Sequence, residues 1–178
     1  MNDLNIDDLI ARAKGGDTKA FEALVNENYK IMFKMAFKYC GNQRDAEDIT
    51  QDACMKLARG IQNFKGECAF TSWLYRLVIN SAKDFYKKNN RHRTEKTEIE
   101  DIAEQNKADD KLYARQVIEA VHLLPEGEKE AILLVHGEGL SHKEAAKALE
   151  CKESTISWRI HEARKKLAHQ FERNTHHG

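Results

Sequence analysis

A chain of 178 residues has room for one domain or two small ones, and 41% hydrophobic residues suffice for real cores beside a high 33% of charged ones. A single Pro and nine Gly argue for an all-α protein. The 29 basic residues balance 29 acidic ones, which excludes an overall field that draws in nucleic acid and leaves only local segregation of charge to do so.

Apolar residues recur at helical spacing over 4–39: Leu4, Ile6, Leu9, Ile10 and Ala13, then Phe21, Leu24, Val25, Ile31, Met32 and Met35. "KGGD" at 14–17 breaks the pattern, and Asp17 or Thr18 can cap the helix that follows. A third helix is expected from near Asp45. Its residues Ala46, Ile49, Ala53 and Leu57 share one buried stripe, which sends Asp48, Gln51, Asp52 and Met55 to another side. Asp48 and Asp52 are like charges at i,i+4, and an exposed Met beside them adds an adhesive apolar spot. That side is either an ordinary solvated acidic face or a docking surface for a basic helical partner.

"NFKG" and "ECAF" at 63–70 read as a loop, and a fourth helix is expected over about Thr71–Lys88. Leu74, Leu77, Val78 and Phe85 form its inward stripe. Arg76, Asn80, Lys83 and Lys87 cluster on a different side with Trp73 at the edge, and Tyr75, Ile79 and Tyr86 occupy a third. Cations interleaved with aromatics suit melted or single-stranded nucleic acid, where bases stack and phosphates need charge. Trp73 reads equally as core packing. Cys40, Cys54, Cys68 and Cys151 form no CxxC pair and no zinc-finger spacing, so they read as thiols of a reducing cytoplasm. No apolar run reaches the length of a membrane span and the N-terminus carries no signal pattern, so a cytoplasmic protein without membrane insertion is expected.

Segment 83–96 holds six basic residues against two acidic, and 98–110 six acidic against one Lys. With few large apolar groups between 87 and 111, this stretch reads as a linker that buries no core. Helical periodicity resumes at Leu112 through Val117, Ile118, Val121 and Leu124, with boundaries at Pro125 and at "GEGLS" 137–141. Ser141 with Glu144 is a capping box opening a short helix over His142–Leu149. A short turn and a longer helix from Thr155 then complete the sequence form of a helix-turn-helix. At about 100° per residue, Ile156, Ile160, Ala163 and Leu167 make the inward stripe. Ser154, Thr155, Trp158, His161, Glu162 and Lys165 lie opposite, flanked by Arg159 and Arg164. An outward Trp on a polar, basic face is unusual for plain solvated surface and fits a major groove.

Together "DAEDITQDACMKL", "FKGECAFTSWLYRLVINSAKDFYKK", "LPEGEKEAILLVHGEGLSHKEAAKAL" and "STISWRIHEARKKL" resemble, in order and spacing, the extracytoplasmic-function group of sigma-70 family RNA polymerase sigma factors. The resemblance spans nearly the whole chain. It implies two small helical domains, residues 1–92 and 112–178, joined by a flexible linker over 93–111. The first is implied to bind the clamp helices of the polymerase β′ subunit through Asp45, Asp48, Gln51, Asp52 and Met55. It is also implied to open the −10 promoter element with the base-capturing loop Phe64–Thr71 and with Phe64, Lys65, Arg76, Asn80, Lys83 and Lys87. Extruding a base costs a few kcal/mol, so such a loop must offset it with stacking and hydrogen bonds. The second domain is implied to contact the β flap and to read the −35 element with Ser154, Thr155, Ser157, Trp158, Arg159, His161, Glu162, Arg164, Lys165 and Lys166. Two positions depart from the family's habit. Glu162 stands where a basic residue is common and suits cytosine N4, while Trp158 replaces a small or polar residue and suits a thymine methyl. An anti-sigma factor is the implied regulator. No catalytic residue, metal or cofactor is implied, and the eight His are scattered without ligand spacing. The competing reading is a stand-alone dimeric regulator, which needs neither the acidic stripe nor a melted-strand surface.

Overall fold

The computed structural model describes residues 5–89 and 108–175, and all regular structure among them is helical. Four helices form the first half: α1 (Ile6–Lys14), α2 (Thr18–Cys40), α3 (Gln43–Gly60) and α4 (Phe70–Asn89). Four more form the second: α5 (Ala108–His122), α6 (Glu126–Ile132), α7 (His142–Ala148) and α8 (Glu153–Thr175). The linker expected over 93–111 lies outside the described residues as far as 107, and residues 108–111 already belong to α5.

Local chemistry sets the helix ends. Asp17 caps α2 by accepting from the Ala20 N–H, and Arg12 holds the same carboxylate at 2.8 Å. Gly41, with φ 81°, closes α2 in the left-handed conformation that glycine adopts without a Cβ clash, and Asn42 then caps α3. Ser141 and Glu144 make the reciprocal capping box at the start of α7.

α2, α3 and α4 pack into a bundle around Leu24, Met32, Met35, Ile49, Ala53, Leu57, Leu74 and Val78, all fully buried. α1 closes one end with Leu9 and Ile10. In the second half, Val121, Leu124, Ala131, Leu134, Ala145, Ile156, Ile160 and Ala163 make the core. Each fully buried Leu or Ile here contributes about 1.5–3 kcal/mol through the apolar surface it removes from water. Leu57→Ala should therefore cost about 2–5 kcal/mol.

The two cores meet. α4 packs against α7, and α2 against α5, so a single cluster of buried residues runs through both halves. This explains a difference from the sequence reading of α4. Tyr75 and Ile79, assigned to a third side, are buried, while Leu77 and Phe85 of the expected inward stripe are only half-buried. The periodicity of one helix shows that an apolar face exists. It does not show that a second layer covers another.

Candidate polymerase and nucleic-acid interfaces

α3 is anchored by its inward stripe: Ala46, Ile49, Ala53 and Leu57 have no exposed surface. The helical repeat then turns Asp48, Gln51 and Met55 into solvent, with Met55 53% exposed. Asp52 stands beside them, half-exposed, with Lys56 Nζ at 2.9 Å; the same ammonium reaches Asp84 of α4 at 2.7 Å. Burial acts most strongly and raises the Asp52 carboxyl, but the hydrogen bonds from Lys56 and Ser81 and the charges of Lys56 and Lys88 together outweigh it and hold the group below its ordinary value. Asp45 does not join this face. It is only 5% exposed: its N–H donates to Asn42 Oδ1 at 2.9 Å and its carboxylate accepts from Asn42 Nδ2 at 3.0 Å. In the first turn of α3 it belongs to the cap, and it points inward.

Between α3 and α4 the chain makes a 3₁₀ turn over Ile61–Asn63 and a loop over 64–69. Phe64 packs its ring against Phe70 edge-on at 5.3 Å and against Trp73 at 5.2 Å. Both Phe64 and Trp73 are buried, at 9% exposure each. Of the two readings of Trp73, core packing is the one realised, and Phe64 supports the loop from within. Gly60 lies beside the Trp73 ring, where a Cβ would make an ordinary van der Waals contact at 3.7 Å. Lys14 Nζ donates to the Phe64 carbonyl and Gln62 Nε2 to the Lys14 carbonyl, each at 2.5 Å, which ties the loop to α1. Lys65, Gly66 and Glu67 remain exposed at the loop tip.

α4 brings Arg76, Asn80, Lys83 and Lys87 to one side, as the spacing predicts. Asn80 and Lys87 are exposed. Arg76 is not open: Nη1 pairs with Glu150 at 2.7 Å and Nη2 donates to the Lys147 carbonyl at 3.3 Å. Lys83 is likewise engaged, 2.7 Å from Glu130 of α6.

α7 and α8 are joined by a turn whose Glu150 adopts a left-handed φ of 51°. Ile156, Ile160 and Ala163 face the core, and Leu167 is half-buried. The outer face presents Ser154, Ser157, Trp158, His161, Arg164 and Lys165, with Thr155 partly buried and Trp158 59% exposed. Ser157 Oγ lies 2.9 Å from His142 Nδ1, which couples the start of α7 to this face. Arg164 Nη2 lies 3.3 Å from His136 Nε2. Burial, then the Arg164 charge and the nearby His142 ring, push the His136 imidazole below its ordinary value. Glu162 is half-buried and 3.3 Å from Lys165. Two expected DNA contacts turn towards α6 instead. Lys166 pairs with the buried Glu128 at 2.5 Å, and the Arg159 guanidinium lies against Gly127, where a Cβ would come within 2.9 Å of Cζ.

The sequence reading missed Lys38, Tyr39, Lys129, Glu130, Glu138 and Glu150, which join the two halves. Each looks like ordinary solvated charge or core on its own helix, because its partner lies far away along the chain.

Residues 24–92 match the family Sigma-70 region 2, and residues 114–167 match Sigma-70, region 4. The ECF RNA polymerase sigma-E factor of Haemophilus influenzae is 30% identical over 92% of this chain and 94% of its own length. The chain belongs to the extracytoplasmic-function sigma factors. As a sigma factor it binds core RNA polymerase and directs it to promoters, recognising −10 and −35 elements and helping to melt the DNA. The RNA polymerase sigma-H factor of Pseudomonas aeruginosa is also 30% identical, over 89% of this sigma factor and 90% of its own chain. CnrH, solved in complex with the cytosolic domain of CnrY, shares the fold with a TM-score of 0.68, 24% identity and coverage of 92% and 95% of the two chains. The sigma factor RpoE of Bartonella quintana, solved with the anti-sigma factor NepR, gives 0.67, 24%, 87% and 98%. Among the described residues, no helix is long and apolar enough to cross a membrane, and no group of three or more His, Cys, Asp or Glu is placed to hold a metal ion.

Proposed function

We propose that this sigma factor divides promoter recognition among three surfaces. The outer face of α3, with Asp48, Gln51, Asp52 and Met55, docks on the β′ clamp helices. An apolar side chain at the centre of an acidic rim suits a basic helical partner. The loop 64–69 and the polar side of α4, with Lys65, Arg76, Asn80, Lys83 and Lys87, read and open the −10 element, while the Phe64–Phe70–Trp73 cluster holds the loop in shape. The outer face of α8, from Ser154 to Lys165, lies in the major groove of the −35 element, and the second half also meets the β flap. Arg159 and Lys166 brace α8 on α6 and contribute to phosphate contact only from the flank.

The observation that carries this reading is Trp158, more than half exposed on a polar face of a helix whose apolar stripe is already buried against the core. In a major groove such a side chain can make the apolar contact that a thymine methyl offers, with phosphate-binding cations beside it. The sigma factor acts in the cytoplasm, where its polymerase is, with no catalytic chemistry, metal or cofactor of its own. An anti-sigma factor controls it, as the complexes of CnrH and of the Bartonella quintana RpoE with their partners suggest by analogy. The test is co-migration with core RNA polymerase followed by transcription from a pool of random promoters. Stable binding and selective initiation are expected, and the selected sequences then report both elements. Tight binding to a duplex operator without polymerase would point to a stand-alone regulator instead.

A further inference from the structure

The loop between α3 and α4 leaves the bundle from a two-way latch with α1. α1 ends at Lys14, whose carbonyl is among those that the end of a helix leaves without an intrahelical partner. Gln62 of the 3₁₀ turn satisfies it, donating Nε2 at 2.5 Å. Lys14 answers in the other direction and donates its ammonium to the Phe64 carbonyl, also at 2.5 Å. Phe64 caps the 3₁₀ turn, its N–H donates to the Ile61 carbonyl at 3.1 Å, and its ring packs on Phe70 and Trp73. Ring, N–H and carbonyl are thus each held, and the chain is exposed from the next residue, Lys65, through Gly66 and Glu67. The end of α1 is itself fixed. Leu9, Ile10 and Ala13 are buried, and Arg12 holds the Asp17 carboxylate that caps α2.

We propose that α1 is a positioning element of the −10 reader: Lys14, with Gln62, sets the direction in which the loop tip leaves Phe64, and through it which extruded base the loop accepts. The inference rests on the assignment of the loop 64–69 to the −10 element and deepens it. The peptide between Phe64 and Lys65 is a rigid plane, so holding its carbonyl fixes the path of everything that follows. The aromatic cluster cannot do this alone. It fixes the Phe64 ring, while rotation about the Phe64 ψ bond, at 111° here, would still swing the tip. The ammonium of Lys14 is the donor that stops that rotation. Gly66, with φ 73°, bends the tip in a conformation that a side chain would resist, so the tip is tight and takes its aim from its root. Hydrogen bonds to a base edge weaken steeply with angle, whereas attraction to phosphate depends on charge. An error in aim is therefore felt as lost base selection. Lys14 is half-buried and acts through Phe64 without touching DNA.

The test compares three full-length variants. Lys14→Met keeps the stem and removes the ammonium, Gln62→Met removes the return bond without changing charge, and Lys14→Arg keeps a cationic donor. Each is loaded on core polymerase and initiates from a promoter pool randomised over both elements. Lys14→Met should discriminate about tenfold less at one −10 base, the scale of one hydrogen bond from a charged donor. Gln62→Met should relax the same position, Lys14→Arg should restore it, and the −35 preference should stay as in wild type throughout. Unchanged −10 discrimination in Lys14→Met overturns the proposal. So does a loss of affinity that is even over all promoters with discrimination intact, which makes Lys14 a phosphate contact. An equal loss at both elements that Lys14→Arg does not restore makes it a plain stability contact and overturns the proposal too. Lys65→Ala with Glu67→Ala at the tip separates two failures. If that variant shifts the −10 base while Lys14→Met does not, only the latch is wrong; if neither shifts it, the assignment of the loop itself is wrong.

Discussion

Asp48→Arg with Asp52→Arg tests the α3 docking face, and the structure sets its magnitude. Both side chains are at the surface, so the fold loses little. The Asp52–Lys56 pair disappears and the guanidinium introduced in its place repels Lys56, together about 1 kcal/mol or less. Lys56 keeps Asp84 at 2.7 Å. The repulsion between Asp48 and Asp52 is replaced by repulsion between two arginines and cancels. Against a stability of about 5–15 kcal/mol the bundle stays folded. Binding should change far more. Two attractive charges become two repulsive ones at the rim of an interface, about 1–2 kcal/mol each, so affinity for core polymerase should fall roughly 30- to 1000-fold. Co-migration across a polymerase titration measures this, with thermal melting as the control for folding. A folded double variant that binds polymerase as wild type does would refute the docking assignment.

The remaining predictions concern α8, the aromatic cluster and one thiol. Trp158→Ala and Glu162→Ala should each shift base preference at one −35 position by about 1–3 kcal/mol, read by selection from a random promoter pool, while Arg159→Ala, the loss of a side chain that braces α8 and reaches phosphate only from the flank, should weaken all promoters evenly, read as affinity of the polymerase complex for two unrelated promoters. Trp73→Ala removes a buried ring that touches Phe64 at 5.2 Å and Phe70 at 5.8 Å, so it should cost about 3–5 kcal/mol in thermal melting and loosen the loop that Phe64 holds. Burial pushes the Cys40 thiol up to about 11. The folded state then keeps its proton while the unfolded chain loses it, so stability falls as pH rises between about 9 and 11, by about 1.4 kcal/mol per pH unit. Cys40→Ala should make that slope shallower in denaturant titrations, leaving the share that Cys54 and Tyr75, also raised by burial, contribute.

What the sequence made legible was local. The stripe of α3, the capping box of α7 and the stripe of α8 follow from spacings within a few residues, and the structure has all three. Asp48, Gln51 and Met55 stand outward on the same arithmetic. The misreadings share one physical cause, a partner distant in the chain or a claim by the helix cap. Asp45 lies at the right angle for the acidic face but sits in the first turn, where Asn42 and the core claim it. The sequence places Tyr75 and Ile79 on a third side apart from the inward stripe, and both are buried. "GEKE" at 127–130 receives no assignment from the sequence, and Glu128, Lys129 and Glu130 are all buried, with partners on α8, α2 and α4. Charge in the interior is tolerated only when it is paired, and pairing is a tertiary fact.

In its proposed −10 role α4 would tie DNA reading to the contact between the two halves. Its Leu74 and Val78 face the bundle, its Tyr75 and Ile79 face the second half, and its cations are claimed twice. The two exchanges are unequal. Glu150 is 69% exposed, so Arg76 can leave it for a phosphate and water will solvate the carboxylate left behind. Glu130 is 3% exposed, and if Lys83 leaves while the halves stay together, a buried carboxylate is stranded without its counter-charge. Breaking a buried pair by removing one partner costs about 3–5 kcal/mol, more than one phosphate contact returns. Burial already raises the Glu130 carboxyl above its ordinary value with Lys83 in place. Lys83 therefore cannot move to DNA by a side-chain swing alone. If Lys83 contacts the −10 strand as proposed, the halves must part so that Glu130 reaches water, and engagement of that strand would go together with their separation.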